Sequence, residues 1–82
     1  MDATTLAAAV RRYGAAARCS HPTSQAKARR LWFEVAKYLR PEERFGIGVA
    51  HDHFRIGEGA GELDTLVGEV ARRLDRAAAV AA

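Results

Sequence analysis

The chain has 82 residues and one cysteine, so residues 1–82 read as one domain with no internal disulfide, and nothing suggests an oxidising compartment. No apolar run approaches the roughly 20 residues of a membrane span, and Met1-Asp2 is acidic where a secretory signal is basic, so the expectation is a cytoplasmic protein without a membrane partner. The net charge of +3 is unevenly spread: residues 1–40 carry eight Lys/Arg against two Asp/Glu, and residues 41–82 carry five against eight, so a basic half can lie against an acidic one in the same fold or in a second copy.

Four helices are expected. The first runs from about Thr4 to Arg18, because Leu6, Ala9, Val10, Tyr13 and Ala17 recur at helical spacing on one face. Gly14 costs about 1 kcal/mol relative to alanine if it is interior and exposed. Cys19-Ser20-His21-Pro22 breaks the helix, since the residue before proline avoids helical dihedrals. The second helix starts at Pro22 or at the hydroxyls of Thr23 and Ser24. Ala28, Leu31, Trp32, Val35, Ala36 and Leu39 form its stripe, and Phe33 lies off it.

Arg40-Pro41-Glu42-Glu43 restarts the chain as a helix, with proline at the first position and two acids at the positive end of the dipole. The segment to about Ile56 has two opposed faces. Phe45, Val49, Asp52, His53 and Ile56 share one, and Ile47, His51 and Phe54 lie roughly opposite. Gly46 and Gly48 weaken helix and strand alike. Helix is chosen on the start signal, and it is expected to be short or irregular. After the Gly57-Glu58-Gly59-Ala60-Gly61 connection, a last helix runs from about Glu62 to Ala79 on a stripe of Leu63, Leu66, Val67, Val70, Ala71, Leu74 and Ala78. The fold class is all-α, a small four-helix domain. With 18 alanines the core offers little area per residue, which gives a partner or a bound ion a place in its stability.

Candidate chemistry begins with Cys19, His21, His51 and His53. Thiolate and imidazole suit zinc, and four of them make a tetrahedron; iron is the other ion considered. Both pairs are spaced i,i+2, which on a helix points side chains about 200° apart. The set therefore works only if the chain is not regular helix at both His51 and His53. The ordinary readings are Cys19 as a small, partly buried hydrophobe, His21 as a cap or loop residue before Pro22, His51 solvated, and His53 a core imidazole bonded to Asp52 or a carbonyl. Cys19 has no recognisable third group or oxyanion loop, so no enzyme is expected. Gly57-x-Gly59-x-Gly61 lacks the spacing, the strand and the lysine of a phosphate loop.

Nucleic acid is an alternative partner, through the basic first and second helices: Arg11, Arg12, Arg18, Lys27, Arg29, Arg30, Lys37 and Arg40. The leading expectation is a non-enzymatic protein-interaction or adaptor module that binds another protein or a second copy of itself. Its contact surface would use Arg30, Phe33, Lys37 and Phe54, with Ile47 beside them as a further apolar residue off the main stripes. No motif is specific enough to carry a family resemblance.

Overall fold

A computed structural model describes residues 1–81. They form α1 (Ala3–Ala17), α2 (Pro22–Val35), α3 (Pro41–Arg55) and α4 (Ala60–Ala81), and a 3-10 turn at Ala36–Tyr38 prolongs α2. Among the described residues there is no strand, so the all-α, four-helix expectation is met.

Local chemistry sets each boundary. The Asp2 carboxylate accepts from the Thr5 N–H at 2.8 Å and caps α1. The stripe from Leu6 to Ala17 is buried throughout. Gly14 is buried as well, and a Cβ there would lie 2.6 Å from Val67 Cγ1 of α4. It is therefore a packing position where two helices meet closely, and not the exposed weak point considered above. Of the two readings of His21, cap or loop residue, the cap holds: its Nδ1 accepts from the Thr23 N–H at 3.1 Å, and Pro22 takes the first helical position. Leu39 and Arg40 are then extended, with Leu39 buried, and the chain turns into α3.

The structure corrects the reading of α3. The helix is 15 residues long and unbroken through both glycines, and the irregular turn lies at the end of α2 instead. Pro41 starts it, and Glu43 accepts from the Arg40 N–H at 2.9 Å, which satisfies an otherwise orphan donor. The same carboxylate takes Arg73 of α4 bidentately, through Nε at 2.5 Å and Nη2 at 2.8 Å. At the other end the Gly57 N–H donates to the Phe54 carbonyl and the Glu58 N–H to the His53 carbonyl, with Gly57 at φ 87°. Those two hydrogen bonds make a Schellman stop, which needs the left-handed dihedral that glycine supplies. The buried side of α3 carries Ile47 and Ala50, with Phe54 packed against the core, whereas Phe45 and Ile56 are exposed.

The packing order explains where space is left. α1 lies against both α2 and α4, and α3 lies against α4, but α2 and α3 barely touch. Seven of the 17 core residues are alanines, so helices approach closely where they do meet. This order leaves an opening between α2 and α3.

Candidate functional site

A cavity of about 460 Å³ opens between α2 and α3 over the α1 residue Tyr13. Gln25, Arg29 and Trp32 come from α2, and Arg44, Phe45, Gly48, Val49, His51, Asp52 and Arg55 from α3. On α3 the residues 44, 48, 51 and 55 recur at helical spacing, so one line of positions faces the opening.

Its floor is a closed hydrogen-bond chain. The Gln25 amide donates from Nε2 to the carbonyls of Ala17 at 2.8 Å and Cys19 at 2.7 Å. That turns Oε1 toward His51 Nε2, at 2.8 Å. An amide oxygen only accepts, so Nε2 of His51 carries the proton. Nδ1 is left to accept from the Tyr13 hydroxyl at 2.9 Å. The Tyr13 ring also stands edge-on to His51 and 5.0 Å from the Trp32 centroid, which fixes both rings.

The electrostatics agree with this tautomer. Burial lowers the His51 pKa, the positive charges of Arg55 and Arg29 add to it, and Asp52 opposes. Burial, then the charge of Asp52, raises that of Tyr13, which keeps its hydroxyl a donor. The walls are cationic. Arg29 and Arg44 form no ion pair among the described residues, and Arg55 reaches Asp52 only at 4.0 Å. Arg11 and Arg73, by contrast, are engaged across helices by Asp75 and Glu43.

The four proposed metal ligands are not brought together. His51 is tied to Tyr13 and Gln25, and His53 lies 3.5 Å from Glu62 on another side of α3. His21 caps α2, and Cys19 is exposed in the α1–α2 turn. Hydrogen bonds from Ser24 and from the His21 backbone lower the Cys19 thiol pKa. Regular helix at both His51 and His53 removes the condition on which the set depended. Among the described residues no three His, Cys, Asp or Glu side chains cluster as a metal site. The roles of the two α3 histidines are also exchanged: His51 is the inner imidazole and His53 the outer one.

Of the expected contact residues, Phe33 is 85% exposed and Arg30 and Lys37 are exposed on the same side of α2. Phe33 follows Arg29 by one turn, so this side continues the cleft outward. Phe54 packs against the core, and Ile47 is only 1% exposed, so neither belongs to that patch. The sequence reading missed Gln25, Trp32, Arg44, Phe45 and Gly48 as lining residues. Trp32 both packs against the core, as its stripe implies, and lines the cleft, and Phe45 shares its cleft-facing side of α3 with Val49 and Asp52. Among the described residues no helix is long and apolar enough to cross a membrane. No protein-family model, curated protein or solved structure matches the chain.

Proposed function

We propose that the protein is a non-enzymatic interaction module whose working surface is the α2–α3 cleft and the α2 face beside it. The observation that carries this reading is the cleft itself, with Arg29 and Arg44 in no ion pair among the described residues, Phe45 75% exposed in its lining, and Phe33 85% exposed one turn beyond Arg29 on the adjoining face of α2. Exposed aromatic rings among unpaired guanidiniums are costly to leave in water and suit a partner surface. The polar groups at the floor satisfy one another, so none is free to act as a positioned acid, base or nucleophile.

Site-resolved photo-cross-linking tests this. Benzoylphenylalanine replaces Phe33, Phe45 or, as a control on the far end of α4, Val80, in cells that make the protein. Discrete protein adducts are expected from the first two positions and not from Val80, and Arg29→Glu with Arg44→Glu should remove them. Equal adducts at Val80, or adducts indifferent to the arginines, would sink the assignment.

A further inference from the structure

We propose that the α2–α3 cleft binds a short acidic peptide segment with one bulky apolar side chain between its carboxylates, and that Gly48 makes room for that side chain. The inference rests on reading the cleft as the interaction surface and adds the chemistry of the partner.

The spacing of the cations argues for an elongated ligand. Arg44 and Arg55 are eleven positions apart on α3, about 16 Å along the axis at 1.5 Å per residue. Arg29 stands on the opposite wall. An extended segment of about five residues covers that distance, at roughly 3.3 Å per residue. Carboxylates near its ends meet separate guanidiniums, each capable of a bidentate pair. A single small anion would instead need the charges to converge.

Between the arginines the lining is apolar, formed by Trp32, Phe45 and Val49 beside Gly48. Gly48 has no structural reason within the fold. It sits inside a helix, where glycine is a poor former, and its φ is not positive. A Cβ at Gly14 would strike Val67, but a Cβ at Gly48 would meet nothing within 4 Å. The missing side chain therefore enlarges the cleft and does nothing else. An apolar side chain seated there would lie against Trp32 and under Phe45.

Asp52 decides between two anionic partners. Its carboxylate lines the cleft and would repel a run of phosphodiesters, but it can accept a backbone N–H from a bound peptide. His51 and Gln25 are committed to each other and offer no further donor. Recognition falls to the guanidiniums, the rings and the space at Gly48.

Trp32 is the sole tryptophan and reports on the cleft directly. Its emission is followed while the intact protein is titrated at low salt with the peptide Ac-Ser-Glu-Asp-Leu-Glu-Asp-Ser-amide. A saturable change is expected, weakened roughly tenfold by Arg44→Glu. Replacing the peptide leucine by serine should weaken it by a similar factor. Gly48→Leu should abolish binding yet stay folded by circular dichroism, because the new side chain enters open space. The proposal is overturned if Gly48→Leu binds as the native chain does, or if the leucine-free peptide binds equally well. It is also overturned if a short oligothymidylate binds as tightly as the peptide, which would move the cleft to nucleic acid. No response to the peptide, with the Phe45 cross-links intact, would refute the acidic-segment chemistry and leave the interaction reading standing. Loss of the cross-links as well would remove both.

Discussion

At Gly14 a methyl group would lie 2.6 Å from Val67 Cγ1, and at Gly48 it would meet nothing within 4 Å. The same substitution should therefore have opposite signs at the two sites. Gly14→Ala should cost about 1–3 kcal/mol by overpacking, partly relieved by Val67→Ala. Gly48→Ala should add up to about 1 kcal/mol through helix propensity alone. Chemical denaturation of Gly14→Ala, alone and with Val67→Ala, and of Gly48→Ala checks both. His51 carries a second prediction at this scale. Burial, with the charges of Arg55 and Arg29, lowers its pKa, and the Tyr13 hydroxyl donates to an Nδ1 that can accept only in the neutral ring, so Tyr13→Phe should move the His51 pKa upward, read by NMR titration. Because the folded value is depressed, the unfolded chain takes the proton first. The stability tied to His51 is complete above 6.5 and declines as pH falls through the folded value. In thermal melts, His51→Gln should be less stable throughout but flatter over that interval.

Glu43 acts on two elements at once, accepting from the Arg40 N–H at the start of α3 and holding Arg73 of α4. Burial raises its pKa, but the Arg73 pair and the Arg40 N–H outweigh that, and the net shift is downward. Its contribution is therefore present above the usual 4.5 and lost as pH falls through the lower folded value, a window distinct from that of His51. Glu43→Gln keeps an acceptor for the cap but removes the charge. It should cost about 1–3 kcal/mol at neutral pH and flatten the acid limb of the melting curve, whereas Glu42→Gln should do neither. The helices themselves were legible because their punctuation is local: Pro22, Pro41 and Gly57 act through their own dihedrals. Which side of α3 faces inward was not legible. Two glycines remove side chains from the pattern, and Phe45, Val49 and Ile56 outweigh Ile47, Ala50 and Phe54 when only hydrophobicity is counted. Tertiary packing on α4, through Ile47, decides the matter.

Over the whole molecule, the split of charge in the sequence resolves only in part into contacts. Arg11 of α1 meets Asp75 of α4, joining the basic and acidic halves, but the pair is solvent-exposed and screened by salt. The cleft could not be read from the chain, because it arises from packing order: α2 lies on α1 and α3 on α4, and α2 meets α3 chiefly at its floor, through Gln25 and His51. Its cations come from both halves of the sequence, Arg29 from one and Arg44 and Arg55 from the other. A count by halves hides that grouping. Charge at the cleft belongs to the folded surface.

The turn at Leu39-Arg40-Pro41 has a consequence for how copies of the chain meet. It joins two helical hairpins, α1–α2 and α3–α4, that hold together mainly through α1 and α4. Were α2 to run straight on into α3, the hairpins of one copy would part, and each would find its complement on another copy. Pro41 blocks this, since it has no N–H for a continuing helix and its ring would press on the Lys37 carbonyl. Pro41→Ala lifts the block, and a concentrated sample should form dimers by exchange of hairpins that dilution reverses only slowly, seen as a second species in size-exclusion chromatography with light scattering. The ring of Pro41 thus opposes the exchange of hairpins between copies, and with it a cleft whose two walls come from different chains.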